Sequence, residues 1–98
     1  MADRLPLSED DVRAFLSEVS GWSYQDNRLQ KRFELSSFRE AISFVVRLSF
    51  EAEEINHHPE VKNVYNRVDV SLTTHDAGDR VTSLDVALAR AIERFSWI

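Results

Sequence analysis

The spacing of the apolar residues changes repeatedly along this chain, and these changes limit the folds that it can adopt. Residues 12–19 and 38–55 place apolar side chains every three to four positions, which is typical of an amphipathic helix. Residues 29–35 and 64–72 alternate apolar and polar side chains, as a strand with one buried face does. A last helical repeat follows at Val86, Ala89, Ile92 and Phe95. The pattern therefore predicts helices and hairpins in turn.

Local signals place the ends of these elements. Three predicted helix starts have a hydroxyl residue followed three positions later by an acidic residue: Ser8 and Asp11, Ser37 and Glu40, Thr82 and Asp85. Gly21 is a predicted stop for the first helix, and Asp26-Asn27 is typical of a hairpin turn. Pro59 disfavours the helical conformation at His58, so the long helix is predicted to end at or just before the histidine pair.

These elements predict a single α+β domain over residues 1–98, in the order αββαββα. A short strand near residues 60–62 and a bend at 63–66 complete the second hairpin. Adjacent hairpins favour a four-stranded antiparallel sheet, with three helices packed on one face. Lys31 interrupts the apolar face of the first hairpin. Only two glycines and two prolines are present, and no stretch reads as a linker between domains.

Composition argues against several classes of function. The formal net charge is −5 and no basic block is present, which argues against direct nucleic-acid binding. The absence of cysteine excludes disulfides and thiolate sites and is compatible with the cytoplasm, where we expect the protein. No apolar run resembles a signal peptide or is long enough to span a bilayer, so no membrane role is predicted.

All three histidines lie around one segment of the chain. His57 and His58 are adjacent at the predicted end of the long helix, and His75 follows a predicted strand on its polar side. Imidazole titrates near pH ~6.5, so two or three imidazoles around one ligand could exchange protons at neutral pH without a metal. A structural alternative stays open, in which helix-end histidines contact free carbonyls and His75 is an exposed loop residue.

The neighbouring acidic residues also have two interpretations. Glu53 lies one helical turn before His57, so it is predicted either to pair with that histidine or to bind a polar ligand. Asp85 is predicted to be the helix-start partner of Thr82, with a ligand contact as the alternative. A metal site is a further hypothesis, but adjacent histidines leave a helix in different directions and no recognised ligand spacing accompanies them.

These residues together carry a resemblance to a known family. The run is Glu53, His57-His58-Pro59-Glu60, Asn63-Val64-Tyr65-Asn66, Thr74-His75-Asp76 and Asp85. It resembles the signature of the pterin-4a-carbinolamine dehydratases, including the spacings from the histidine pair to Tyr65, to His75 and to Asp85. Gly21-Trp22 and Phe33 also fit. Val61 is a departure, since many members have tryptophan there.

The resemblance implies an activity and a set of site residues. Family members dehydrate 4a-hydroxytetrahydropterins to quinonoid dihydropterin during tetrahydrobiopterin recycling, and they use no metal or organic cofactor. By resemblance, His58 binds the pterin and is the favoured base, while His57 and His75 are candidate acids. The implied substrate contacts are Glu53, His58, Pro59, Glu60, Val61, His75 and Asp85.

The resemblance also implies partners and an alternative function. Relatives with this fold act as a dimerisation cofactor of a homeodomain transcription factor or as a Rubisco assembly protein, and such roles depend on surface rather than on histidines. Val46 and Phe50 form an apolar pair on the flank of the long helix. We predict that they form a contact between subunits, with a wider buried face as the alternative. A homodimer or homotetramer is expected.

Overall fold

The predicted order of elements is confirmed by a computed structural model, which describes residues 5–96. The elements are α1 (Glu9–Glu18), β1 (Ser23–Gln25), β2 (Arg28–Glu34), α2 (Phe38–Glu54), β3 (Glu60–Val64), β4 (Arg67–Leu72), a 3₁₀ turn (His75–Ala77) and α3 (Ser83–Phe95). At each predicted helix start, the hydroxyl side chain of Ser8, Ser37 or Thr82 accepts a backbone hydrogen bond.

The four strands form one antiparallel sheet in the order β1-β2-β4-β3. Leu29 of β2 lies opposite Leu72 of β4, and Phe33 lies opposite Val68. These side chains are buried in one cluster with apolar residues of all three helices, whereas the alternate positions on each strand stay accessible. The helices therefore pack on one face of the sheet, and the predicted α+β class is confirmed.

Both hairpins close through residues with positive φ. Asp26 and Asn27 have φ values of 54° and 61°, a pair of left-handed residues that suits the twist of a two-residue hairpin. The second turn uses Tyr65, whose φ is 54°. There the side-chain amide of Asn66 donates to the carbonyl of Leu35 at 2.9 Å, which ties the turn to the end of β2.

The buried face of α2 differs from the prediction. The predicted stripe included Phe38 and Ile42, but these side chains are 58% and 40% exposed, and Phe44 is buried instead. Phe44 lies between the rings of Phe33 and Phe95, with centroid distances of 4.7 and 5.3 Å. The prediction for Phe38 and Ile42 was wrong because α2 carries two apolar faces, and packing against the sheet selects one.

The second apolar face of α2 is exposed. It consists of side chains at every fourth position, here called the outer stripe: Phe38, Ile42, Val46 and Phe50. A helix that lies on one sheet needs only one apolar face, so a second one is typical of a contact surface. Although α2 is the longest helix of the described chain, no helix within residues 5–96 is long and apolar enough to cross a membrane.

Lys31 lies on the helix side of β2, yet its charge stays at the edge of the core. Its Nζ donates to Glu93 Oε2 at 2.6 Å and to the carbonyl of Ser20 at 3.2 Å. Trp22 Nε1 donates to the same Glu93 oxygen at 3.1 Å. Lys31 therefore interrupts the apolar pattern with an aliphatic chain that packs beside the core and an ammonium group that is paired at its edge.

Candidate active site

The end of α2 sets the directions of the two adjacent histidines. Asn56 has a φ of 50°, and its N–H donates to the carbonyl of Glu53 at 3.1 Å. The next N–H, that of His57, donates to the carbonyl of Ala52 at 3.0 Å. This is the hydrogen-bond pattern of a Schellman helix end, in which backbone donors satisfy the last carbonyls. The imidazoles are therefore not needed as helix caps.

His57 turns into the protein. Its side chain is 7% exposed, and its Nε2 lies 2.6 Å from Oδ1 of Asp85, which is fully buried at the start of α3. Oδ2 of Asp85 accepts from Thr74 Oγ1 at 2.7 Å and from the N–H of Thr82 at 2.9 Å. The predicted pairing of Asp85 with Thr82 is confirmed, and the same carboxylate also holds His57.

His58 turns outward and pairs with a different carboxylate. Its Nε2 lies 3.0 Å from Oε1 of Glu53, and the two side chains are 66% and 76% exposed. From the sequence, Glu53 was expected either to pair with His57 or to bind a polar ligand. The pairing with His57 was wrong because α2 ends at Glu54 and the positive φ of Asn56 redirects the chain, so the helical spacing does not extend to the histidines. The ligand contact of Glu53 stays a prediction.

His75 opens the 3₁₀ turn and is the most exposed of the three imidazoles. Its Nδ1 lies 3.0 Å from Oδ1 of Asp79. The hydrogen bond to Asp79 and the negative charge of that carboxylate raise the pKa of His75 above its ordinary value of 6.5, and Asp76 adds a smaller effect in the same direction. His75 therefore keeps its proton to a higher pH than a free histidine, as a proton donor at neutral pH must.

The three imidazoles line one cleft of about 180 Å³. The other lining residues are Asn56, Thr73, Thr74 and Asp76. His58 and His75 also line an adjoining cleft of about 210 Å³ together with Arg28, Glu60 and Asp79. The fold therefore brings together histidines that are separated by up to a whole hairpin in the chain, an arrangement that the sequence allowed beside the structural alternative.

Each imidazole has its own carboxylate partner: Asp85 for His57, Glu53 for His58 and Asp79 for His75. The first pair is buried, and the other two are exposed. Separate pairs suit proton exchange at separate positions around one ligand. Among residues 5–96, no group of three or more histidine, aspartate or glutamate side chains is placed to hold a metal ion.

The remaining predicted substrate contacts lie around His58. Pro59 and Val61 line an apolar groove of about 310 Å³ between α2 and β3, together with Glu53 and His58. Glu60 faces the adjoining cleft and forms an ion pair with Arg28. Asp85 is the exception, because it is fully buried and does not line these clefts.

Asn56 and Arg28 are among the site residues that the sequence did not identify. Asn56 carried a usable signal, since asparagine after the last helical position is a common left-handed cap. For Arg28, the only signal in the sequence was its position on the polar face of β2. Its guanidinium donates to Ser71 Oγ at 3.1 Å besides pairing with Glu60, so its place beside the cleft depends on the pairing of β2, β4 and β3.

Comparison with known proteins decides the family. The family model described as "Pterin 4 alpha carbinolamine dehydratase" matches residues 5–95. The chain belongs to the pterin 4 alpha carbinolamine dehydratase family. A relative from Opitutus terrae is 52% identical over 92 residues, covering 94% of this chain and 95% of the relative. A relative from Rhizobium johnstonii is 47% identical over 90 residues, covering 90% and 88%. Both relatives carry the name pterin-4-alpha-carbinolamine dehydratase only provisionally.

Two solved structures share the fold of this chain. A transcriptional coactivator/pterin dehydratase from Brucella melitensis superposes with a TM-score of 0.85 at 35% identity, covering 91% of this chain and 96% of that one. A pterin dehydratase-like protein identified as a RuBisCO assembly factor in the alpha-carboxysome gives a TM-score of 0.64 at 23% identity, covering 76% and 88%. The second likeness concerns the fold alone.

Proposed function

We propose that this protein is a 4a-hydroxytetrahydrobiopterin dehydratase that acts in tetrahydrobiopterin recycling. The observation that carries the proposal is the cleft lined by His57, His58 and His75, each with its own carboxylate, in a chain of the carbinolamine dehydratase family. A cleft that presents several imidazole groups suits a reaction consisting of proton transfers. We place the protein in the cytoplasm.

The proposed reaction is an elimination of water. The bond between C4a and the hydroxyl oxygen breaks, and its electron pair leaves with the oxygen, which takes up a proton. A base removes the proton from N5, and the electrons of that N–H bond form the N5=C4a double bond of quinonoid dihydropterin. The site must therefore supply one proton donor and one acceptor. We assign His58 as the acceptor, with His57 and His75 as the candidate donors.

The surroundings of His58 suit a flat, polar heterocycle. The apolar groove beside Pro59 and Val61 offers a surface for a ring face, while Glu53 and Glu60 offer acceptors for N–H groups at a ring edge. Asp85 is buried, so we propose no direct contact between its carboxylate and the pterin.

The pH dependence of the rate tests the assignment. Acidification is expected to lower the rate as the acceptor imidazole becomes protonated, and alkaline conditions are expected to lower it as the donor loses its proton. Because Asp79 raises the pKa of His75, Asp79→Asn should lower that pKa toward 6.5. The alkaline limb should then move to lower pH. Asparagine also tolerates the positive φ of 57° at this position.

Proton NMR titration of His75 and the rate profile should be measured on the same Asp79→Asn sample. A lowered His75 pKa with an unmoved alkaline limb would contradict His75 as the donor. Asp69→Asn is the matched control, because Asp69 pairs with Arg32 and lines none of the three clefts that contain a histidine.

A second candidate function is favoured by the outer stripe of α2. Val46 and Phe50 are 50% and 67% exposed, which argues against the alternative that they belong to a wider buried face. A continuous apolar stripe fits a helix-to-helix contact, either between copies of this chain or with a partner that it helps to assemble. We propose a homodimer or homotetramer for the dehydratase, with a non-catalytic assembly or dimerisation cofactor as the alternative function.

Phe50→Asp is expected to dissociate the proposed oligomer, because it places a charge in the apolar contact at the most exposed position of the pair Val46 and Phe50. Light scattering at micromolar concentration measures the mass. Ser17→Asp, which adds the same charge on the exposed side of α1, should leave the mass unchanged. A monomeric wild-type protein at that concentration would contradict the proposed oligomer.

A further inference from the structure

We propose that Asp85 is a positioning residue that fixes the tautomer of His57 and so restricts proton exchange by this imidazole to Nδ1. The expected effect on the rate rests on the proposed dehydratase function. The assignment of the tautomer does not, because it follows from hydrogen-bond geometry in the buried cluster of His57, Thr74, Thr82 and Asp85.

The donors around Asp85 have fixed directions. The backbone N–H of Thr82 can only donate, and it lies 2.9 Å from Asp85 Oδ2. Leu84 N–H donates to Thr82 Oγ1 at 3.2 Å, and Thr74 Oγ1 donates to Asp85 Oδ2 at 2.7 Å. The hydroxyl of Thr82 then donates to that of Thr74, 2.7 Å away. The hydrogen bonds of the cluster thus all point toward the carboxylate of Asp85, which accepts them.

This convergence determines which nitrogen of His57 carries the proton. As a carboxylate, Asp85 has only acceptor oxygens, so His57 Nε2, at 2.6 Å, must be a donor. In the neutral ring, Nδ1 then holds the lone pair, and in the imidazolium Nδ1 carries the proton that His57, as a candidate donor, would give up. His57 lines the cleft and Asp85 does not, so Nδ1 is the nitrogen left to exchange a proton with a bound molecule.

The other two histidines lack such a constraint. The partners of His58 and His75 are carboxylates that are 76% and 60% exposed, and exposed pairs exchange readily with water. The partner of His57 is instead fully buried and is held by Thr74, which follows β4, and by Thr82, the N-cap of α3. His57 is therefore the imidazole of this site with a single defined proton-exchange position.

The first test is the nitrogen-15 NMR spectrum of the histidine rings in the wild-type protein. Only three histidines are present, and His57→Gln identifies the signals of residue 57. In its neutral form, His57 is expected as the Nε2–H tautomer. Observation of the Nδ1–H tautomer would overturn the proposal whether or not the protein is active.

The second test is Asp85→Asn. The N–H of Thr82 still needs an acceptor, so the amide oxygen must face Thr82 and the amide NH₂ must face His57. His57 Nε2 then becomes an acceptor, and the proton moves to Nδ1. We expect reversal of the tautomer and a fall in dehydratase rate on the order of 10²- to 10⁴-fold. A mainly structural role would instead lower stability without changing the tautomer.

Asp69→Asn again serves as the control and should change neither the tautomer nor the rate. A normal rate in Asp85→Asn with a reversed tautomer would overturn the proposal, and so would a retained Nε2–H tautomer. If Asp85→Asn fails to fold, the wild-type spectrum still decides the assignment. An inactive wild type with Nε2–H at His57 would contradict the proposed function and support control of the tautomer by Asp85.

Discussion

His58→Ala is expected to lose most of the dehydratase activity, on the order of 10²- to 10⁴-fold in rate, while remaining folded. His58 lines both histidine clefts and the apolar groove, so its removal takes away the proposed proton acceptor. The side chain is 66% exposed and its partner Glu53 is exposed as well, so no buried group loses a hydrogen bond. The free energy of unfolding should therefore change by less than about 0.5 kcal/mol.

Turnover and urea unfolding should be measured on the same preparation of His58→Ala. Lys62→Ala, on the exposed outer side of β3, is a suitable control and should retain the wild-type rate. Near-normal turnover of His58→Ala would count against the assignment of the site.

His57→Ala is expected to lower stability as well as activity, in contrast to the same change at the next residue. It removes the donor to Asp85 Oδ1 and leaves a carboxylate that is fully buried without this partner. Removing one member of a buried hydrogen-bonded pair and leaving the other without a partner lowers the free energy of unfolding by on the order of 3 kcal/mol. Urea denaturation of His57→Ala and His58→Ala side by side measures the difference.

His57→Gln separates the two effects. The amide of glutamine can donate to Asp85 in place of Nε2, but it cannot act as an acid or base near neutral pH. We expect recovery of most of the lost stability without recovery of the rate. Equal stabilities of His57→Ala and His58→Ala would contradict the buried pair.

Local features of the sequence predicted the framework well because local physics determines them. Thr82 and Asp85 form the predicted reciprocal cap, and Asp26-Asn27 forms the predicted turn. Alternation likewise predicted the buried side chains of β4. Each of these features involves residues within a few positions of one another, and the short-range geometry of helices and hairpins limits their arrangement.

Contacts between distant elements could not be predicted from such local features. The sequence placed Glu53 beside His57 because it extended the helical spacing one turn too far. It also could not show that Phe44, rather than Ile42, would face Phe33 of the sheet. Both outcomes depend on where α2 ends and how it lies on β2 and β4, which are tertiary properties.

The site itself was predicted in part. Convergence of the three histidines followed from their positions at element ends, whereas their carboxylate partners did not. The contact between His57 and Asp85 spans 28 positions, and its effect on the tautomer depends on Thr74, which lies between β4 and the 3₁₀ turn. The proposed reaction came from the resemblance, since the residues alone also allowed structural roles for the histidines.

The proposed activity is tested most directly by following the decay of 4a-hydroxytetrahydropterin at neutral pH with and without the purified wild-type protein. The proposed function predicts that the protein accelerates formation of quinonoid dihydropterin above the spontaneous rate, in proportion to its concentration. Decay at the spontaneous rate in the presence of folded protein would contradict it.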